Sequence, residues 1–327
     1  MPFLQSNYKG NKWNKNKHLE TMLPALFRKV SVNYKRERVE LADGDFIDLD
    51  WVCSGNQTLL ILFHGLEGSS QSQYIKGFVK HFSNRHFDVC VMNFRSCSGE
   101  NNRLLSSYHM GKSDDVNLII EHILKQNNYK HLVLGGFSLG GNVLLKYLGE
   151  NANILSNKIK CAFAFSVPID LASSSQVLSS KLNRPYMFNF LKSLNKKTIE
   201  KSKIFPNQLD INGIEKVKTF VEWDSLVTAK IHGFKNAQDY YNKCNSLQFL
   251  PNITLPTLLV NALNDPFLTK SCFPIDMAKK HEFLHLETPK KGGHVGFSMN
   301  GIQGDYYSEI RALEFVSNYI GTENLSL

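Results

Sequence analysis

Long apolar runs are missing from this chain. A membrane-spanning helix needs about 18 or more consecutive apolar residues, and every apolar stretch within the 327 residues is much shorter. Residues 1–20 carry lysines and asparagines but lack the apolar core of roughly 7–15 residues that marks a secretory signal. From these two absences we predict a cytoplasmic protein without a transmembrane segment.

Paired cysteine motifs are missing as well. The chain has six cysteines and no CxxC pair among them. Without an export signal, such scattered cysteines are typical of reduced thiols, some of them buried in the core. The six are Cys53, Cys90, Cys97, Cys161, Cys244 and Cys272.

No segment carries a long block of one charge sign. The net charge of +9 could attract nucleic acid or an anionic membrane. The lysines, however, are spread along the chain, with only modest clusters at 9–17 and 192–203. We therefore predict a solvated basic surface, no nucleic-acid partner, and at most weak peripheral contact with a membrane.

Strand-like and helix-like segments alternate through the first half of the chain. Residues 59–63 are a continuous apolar run, and 89–94 and 131–135 are short, mainly apolar segments. Such segments are typical of strands buried on both faces of a parallel sheet. Between them, residues 116–124 place apolar side chains at helical spacing. Residues 36–51 resemble a hairpin around Asp43-Gly44-Asp45. This pattern predicts an α/β fold with a mostly parallel central sheet, helices on both faces, and an antiparallel edge.

The alternation stops between residues 167 and 245 and resumes with strand-like runs at 257–263 and 283–286. The intervening stretch is rich in lysine, aromatic residues and helical patterns. We predict a helical cap at 167–245, inserted after the sixth or seventh strand between the core segments 1–166 and 246–327. Insertions at the carboxyl ends of strands commonly cover the sites of α/β proteins.

A Gly-x-Ser-x-Gly motif follows the apolar run at 131–135. Ser138 lies between Gly136 and Gly140, and an amphipathic pattern starts directly after it. A strand, this motif and a helix in succession predict a nucleophile elbow, a sharp turn that exposes the serine and has no room for side chains two residues away. Ser138 is therefore the candidate nucleophile.

A serine hydroxyl needs a general base and a group that orients the base. In the α/β-hydrolase order these are an acid and then a histidine after the serine. Asp265 and His294 each follow a predicted strand in that order. They are the candidate acid and base.

The oxyanion of an acyl-transfer intermediate needs two N–H donors. We expect one from the backbone of Leu139, directly after the nucleophile, and one from Leu66 in the loop after the strand at 59–63. His64 in the same loop is a second potential base, but we interpret it as a residue that orders the loop.

One motif favours a different chemistry. His281-Glu282-x-x-His285 matches the zinc-protease pattern, which requires both histidines on one helix. Residues 283–286 are better explained as a strand, on which residues four apart are roughly 13 Å from each other. We therefore predict no metal site and no cofactor.

Several motifs occur together along most of the chain. They are His18-Leu19-Glu20-Thr21 with Leu23-Pro24, Asp43-Gly44-Asp45-Phe46, His64-Gly65-Leu66-Glu67-Gly68-Ser69, Asn93-Phe94-Arg95 through Ser98-Gly99-Glu100, Tyr108-His109, residues 136–142, Ser166-Val167-Pro168-Ile169-Asp170-Leu171, His232-Gly233-Phe234 with Asp239-Tyr240-Tyr241, Asp265-Pro266-Phe267, and Gly292-Gly293-His294-Val295-Gly296-Phe297.

With these motifs the chain resembles the YheT-like branch of the α/β-hydrolase superfamily, which also contains membrane-associated eukaryotic lipases and yeast medium-chain ethyl-ester synthases. The resemblance implies that Ser138, Asp265 and His294 are the charge-relay residues and that the activity is carboxylic ester hydrolysis. Two positions differ from the family pattern: Ser96 stands where glycine is usual, and Glu20 replaces the common glutamine.

The sequence thus predicts a serine esterase that acts on short- to medium-chain acyl esters through an acyl-enzyme intermediate. Its partner is a small-molecule ester. Two alternatives stay open: an acyltransferase that uses an alcohol in place of water, and a non-catalytic binding protein with the same fold.

Overall fold

The structure is a computed structural model that describes residues 3–10, 16–209 and 211–321. Part of the basic cluster at 9–17 and the end of the predicted 246–327 segment lie outside these residues. Within them, nine strands form one sheet in the order β1-β9-β8-β7-β6-β4-β5-β3-β2. The strands are β1 (Phe3–Leu4), β2 (Lys35–Glu40), β3 (Phe46–Val52), β4 (Thr58–Phe63), β5 (Asp88–Asn93), β6 (His131–Phe137), β7 (Ile159–Phe165), β8 (Thr257–Val260) and β9 (Leu284–Glu287).

The sheet is parallel except at one edge. β3 runs antiparallel to both of its neighbours, β2 and β5, while the other adjacent strands pair in parallel. The hairpin predicted around Asp43-Gly44-Asp45 is the β2–β3 pair, with Glu40 opposite Phe46. The predicted α/β fold class, including its antiparallel edge, is confirmed.

Helices cover both faces because the central strands are apolar on both sides. Alternate residues of β4 face opposite clusters: Leu59 and Ile61 pack in one, Leu60 and Leu62 in the other. The first cluster includes α3 (Ser113–Gln126), α4 (Leu139–Glu150) and α10 (Ile275–Lys280). The second includes α2 (Gln73–Ser83) and α11 (Tyr307–Ile320).

Two N-terminal elements were not predicted. The two-residue strand β1 pairs with β9 at the sheet edge, and it is too short to show any alternation. Helix α1 (Lys17–Phe27) begins at the N-cap Asn16, whose side chain accepts the N–H of His18 at 2.8 Å. Its buried residues are Glu20 and Pro24, so it lacks the apolar buried stripe by which surface helices are recognised.

The chain between β7 and β8 is largely helical. It contains α5 (Leu171–Leu178), α6 (Arg184–Ile204), α7 (Phe220–Trp223), α8 (Ala229–His232) and α9 (Ala237–Cys244). Apolar residues of α5, α6 and α7 form a cluster of their own, and Phe267 from the loop after β8 packs into it. These helices are therefore attached next to the carboxyl ends of the strands. The division of the chain at 166 and 245 stays a prediction.

Candidate active site

Ser138 lies in a strained turn between β6 and α4. Its φ of +50° and ψ of −119° are unusual for a residue with a side chain, and such strain is concentrated at functional sites. A Cβ at Gly140 would lie 2.4 Å from the carbonyl oxygens of Phe63 and His64, and one at Gly136 would lie 2.7 Å from the Cα of Gly141. Both flanking glycines are thus required by the turn.

His294 lies against Ser138. Its Nε2 is 2.9 Å from Ser138 Oγ, within hydrogen-bonding distance for proton transfer. The ring packs on that of Phe267 with centroids 4.3 Å apart. The next residue, Val295, has a φ of +57° and donates its N–H to Ser166 Oγ at 2.9 Å. The loop conformation therefore directs the imidazole toward the serine.

Asp265 holds the other side of the same ring. Its Oδ2 lies 2.8 Å from His294 Nδ1, and its Oδ1 accepts the backbone N–H of Phe267 at 2.8 Å. The carboxylate is fully buried, whereas the imidazole is 11% exposed. The two bonds fix the carboxylate plane, and a proton on Nδ1 that is donated to Asp265 leaves the lone pair of Nε2 facing Ser138 Oγ.

The two predicted oxyanion donors flank the serine. Leu139 is the first residue of α4, and the first helical hydrogen bond comes later, from Asn142 N to Ser138 O at 3.0 Å. Leu66 lies between two anchored residues, since Gly65 N donates to Tyr74 OH and Glu67 N to Tyr108 OH. Among the described residues no acceptor is found for the N–H of Leu66. Both groups fit the donor role assigned to them.

His64 has a different place. It is fully buried, its Nδ1 donates to Gly65 O at 2.8 Å, and its Nε2 accepts the N–H of Phe94 at 3.1 Å. Burial lowers the pKa of His64 to about 4. Both ring nitrogens are occupied by the backbone, so the residue orders the loop, as predicted from the sequence.

The His294 loop is held by contacts that were not predicted from the sequence. Thr21 Oγ1 in α1 accepts the N–H of His294 at 2.9 Å. Glu20 Oε2 accepts from Asn264 Nδ2 at 2.6 Å and from Gly292 N at 3.2 Å. Asn264 Oδ1 in turn accepts Gly293 N at 3.1 Å. One helix thus ties the acid loop and the base loop together, and the only sequence signal was the motif around Glu20-Thr21.

Ser96, near the candidate active site, has a backbone conformation that favours glycine. Its φ is +65°, a region that glycine enters without cost. The hydroxyl compensates by donating to Asn102 Oδ1, which also accepts from Lys201 Nζ at 2.6 Å. Burial lowers the pKa of Lys201 to about 8. The Ser96 hydroxyl therefore belongs to a buried polar network with Asn102 and Lys201.

A deep pocket leads from Ser138 and His294 into the helical insertion. Its wall is mainly apolar, and its polar part includes the ion pair of Glu67 and Lys197 (2.9 Å). It also includes Asp224, whose pKa burial raises to about 6. The apolar lining includes Leu66, Leu139, Leu171, Leu178, Phe190, Leu194, Leu209, Phe220, Val227 and Ile231.

A second opening reaches the same serine from the side of α1. It is lined by α1 residues such as Met22 and Leu26, by Tyr186 and Phe190 from α6, and by Ser138 and His294. The two cavities meet at the serine and histidine. An extended molecule could therefore lie across the serine with one end in each.

Large apolar and aromatic residues of the insertion separate into three groups. Phe190 and Tyr240 line the deep pocket and Tyr186 the second opening. Met187 is buried in the core of the insertion, and Phe188 is 67% exposed. Phe234 packs on His109 and Tyr240 and is absent from both linings. The ring of Phe234 lies 5.1 Å from that of Tyr240 between centroids, so Phe234 is a packing residue of the insertion.

The His281 and His285 motif does not have zinc-protease geometry. His281 comes directly after the end of α10, and its Nε2 donates to Leu250 O at 3.0 Å. His285 is in strand β9 and packs edge-on against Phe315. The two histidines are not on one helix, and the predicted strand is confirmed.

Known proteins share this architecture. The model of the alpha/beta hydrolase fold family matches residues 58–298. A protein of Escherichia coli (strain K12) named "Putative esterase YheT" is 35% identical over 86% of this chain and 84% of its own length. The chain belongs to the YheT-like family of α/β-hydrolases. Phospholipase ABHD3 of Homo sapiens is 27% identical to this YheT-like chain, over 90% of the chain and 75% of the phospholipase.

Solved structures agree on the fold. The Pyrococcus furiosus esterase Pf2001 superimposes on this YheT-like protein with a TM-score of 0.58 at 16% identity, covering 90% of the chain and 99% of the esterase. None of the helices among the described residues has both the length and the apolar character that crossing a membrane would require.

Proposed function

We propose that this protein is a serine-dependent carboxylic ester hydrolase in which Ser138, His294 and Asp265 are the catalytic residues. The observation that carries the proposal is the continuous hydrogen-bonded chain from Ser138 Oγ through both nitrogens of His294 to Asp265. The chain stands at the meeting point of two cavities. The names of its relatives, an esterase and a phospholipase, agree with ester chemistry.

In the acylation step, Ser138 Oγ attacks the ester carbonyl carbon while His294 Nε2 takes the hydroxyl proton. Asp265 stabilises the imidazolium that forms. The backbone N–H groups of Leu66 and Leu139 donate to the oxyanion of the tetrahedral intermediate. The intermediate collapses when the C–O bond to the alcohol breaks, and His294 returns the proton to the leaving alkoxide.

In the deacylation step, water takes the place of the alcohol. His294 removes a proton from the water as its oxygen attacks the acyl-serine carbonyl, and the same N–H pair holds the second oxyanion. Collapse releases the carboxylic acid and returns the proton to Ser138. An alcohol in place of water would transfer the acyl group instead.

The deep apolar pocket suits the acyl part of the substrate, and the second opening suits the alcohol part. Each methylene moved from water into the deep pocket contributes about 0.8 kcal/mol, or roughly fourfold in binding. We therefore expect selectivity to rise with acyl length until the pocket is full. Short- to medium-chain esters are the proposed substrates.

The test is kcat/KM over p-nitrophenyl esters from two to sixteen acyl carbons. We expect a rising and then falling profile for the wild type, and no turnover above background for Ser138→Ala. Phe190→Ala, which enlarges the deep pocket, shifts the optimum to longer chains, whereas Phe234→Ala leaves it in place. A wild type without turnover on any ester would leave the non-catalytic alternative, and product esters formed in added ethanol would favour the transferase.

A further inference from the structure

Helix α1 exposes its apolar side to solvent. Leu19, Met22 and Leu26 recur at helical spacing and are 47%, 37% and 64% exposed, and the adjacent Phe27 is 54% exposed. Twelve large apolar side chains are exposed among the described residues, and these four all belong to one helix of 11 residues. An exposed apolar stripe of this density indicates a contact surface.

The stripe faces outward because the other side of α1 is occupied by polar contacts. Glu20 and Thr21 hold the two catalytic loops. Arg28, just after the helix, forms a buried ion pair with Glu309 at 2.6 Å. The helix therefore cannot rotate its apolar residues into the core without breaking these bonds.

The exposed stripe adjoins the second opening. Met22 and Leu26 line that opening together with Pro185 and Asn189 of α6. The rings of His18 and Tyr186 stack with centroids 5.9 Å apart, which places the first turns of α1 and α6 side by side. The start of α6 adds a further exposed apolar side chain, Phe188.

Exposed cations lie on the neighbouring side of α6. Arg184, Lys192 and Lys196 recur with Phe188 at a spacing of four residues, and all four are exposed, so they form one stripe along the helix. This stripe is one residue away from Pro185 and Asn189, which face the opening. Within residues 3–10, 16–209 and 211–321, none of these three cations is within 4 Å of a carboxylate.

We propose that the outer face of α1 and the Arg184–Phe188–Lys192–Lys196 stripe of α6 together form a docking surface for an anionic phospholipid bilayer. Apolar side chains that enter the interface, combined with cations at headgroup level, are the features by which surface-bound helices bind anionic membranes. Docking in this orientation places the second opening, and hence the path to Ser138, against the lipid. The docking surface does not depend on the proposed function. The proposed function adds one consequence, that a lipid ester could enter the second opening directly from the bilayer.

The test is flotation of the full chain with vesicles of phosphatidylcholine, either pure or with 30% phosphatidylglycerol, at low and at high salt. We expect binding to the anionic vesicles that weakens with salt, because the cations are exposed. Phe27→Ser/Phe188→Ser and Lys192→Glu/Lys196→Glu should each reduce binding at least tenfold. Controls are Ile154→Ser, which changes an even more exposed apolar residue before β7, and Lys130→Glu, before β6, both at the opposite end of the strands.

Two further measurements distinguish a failure of the docking proposal from a failure of the esterase proposal and from misfolding of a variant. Ser138→Ala should bind vesicles as the wild type does, so a failure of the esterase proposal leaves this test intact. Phe27→Ser/Phe188→Ser should keep the wild-type midpoint of thermal unfolding, which shows that it is folded whether or not the chain hydrolyses esters. Equal binding by the wild type and both surface variants would overturn the proposal. So would a wild-type dimer, seen by sedimentation velocity, that ignores vesicles and dissociates in Phe27→Ser/Phe188→Ser.

Discussion

Replacing Asp265 by asparagine should move the imidazole proton of His294 from Nδ1 to Nε2. The backbone N–H of Phe267 points at Asp265 Oδ1 from 2.8 Å, and His294 Nδ1 lies 2.8 Å from Oδ2. In Asp265→Asn the amide oxygen must remain at the Phe267 N–H, since an amide NH₂ there would place two donors against each other. The NH₂ group then faces Nδ1 and donates to it.

An imidazole that accepts at Nδ1 carries its proton on Nε2. It then donates to Ser138 Oγ, which is 2.9 Å away, and cannot take the hydroxyl proton. Loss of the correct tautomer in a serine–histidine–aspartate triad lowers kcat by about 10³- to 10⁴-fold. This corresponds to about 4 to 5 kcal/mol in activation free energy. KM should change little, because Asp265 is fully buried and does not reach the pockets.

The assay is steady-state hydrolysis of a p-nitrophenyl ester, with thermal unfolding of the same samples. The matched control is Asp88→Asn, which changes another buried aspartate at the first residue of β5, at the opposite end of the parallel strands from Ser138. We expect kcat of folded Asp88→Asn to remain within a few-fold of the wild type. A loss of less than tenfold in Asp265→Asn would refute the tautomer argument.

Four other changes test separate features of the site and of the fold. Gly140→Ala should abolish turnover, because its Cβ would meet two backbone carbonyl oxygens at 2.4 Å; wild-type kcat would contradict the elbow geometry. Glu20→Ala should lower kcat at least tenfold with little change in KM, while Glu20→Gln, which keeps an acceptor for Asn264, should retain most of the activity in the same kinetic assay. Asp224 keeps its proton up to about pH 6 in the folded state and releases it near pH 4 when unfolded, so stability should fall by about 3 kcal/mol as pH rises through that window; urea unfolding should show this fall in the wild type and its absence in Asp224→Asn. EDTA should leave turnover unchanged, and a loss restored by zinc would contradict the metal-independent mechanism.

The sheet and the order of the site residues could be predicted because both are encoded locally. A buried parallel strand such as β4 is a continuous apolar run. Ser138 is marked by the glycines that its turn requires. Asp265 and His294 each follow a strand, and the strands of a parallel sheet end at one edge, which brings their loops together.

Helix α1 could not be predicted in the same way. Glu20 and its partner Asn264 are 244 residues apart in the chain, so no local pattern shows why a polar residue should be buried there. The apolar residues of α1 face solvent, which reverses the pattern from which a surface helix is recognised. The aromatic content of 167–245 likewise does not show which rings line a cavity, since Phe190 lines both cavities and Phe234 lines neither.

The proposed chemistry depends on Ser138 being the nucleophile that His294 activates. The most direct measurement is the mass of the intact chain after treatment with a fluorophosphonate, followed by peptide mapping. We expect one phosphonyl adduct on the peptide that contains Ser138 in the wild type, none in Ser138→Ala, and labelling slowed at least a hundredfold in His294→Ala. An adduct on another residue, or equal labelling of the wild type and Ser138→Ala, would contradict the assignment of Ser138 as the nucleophile.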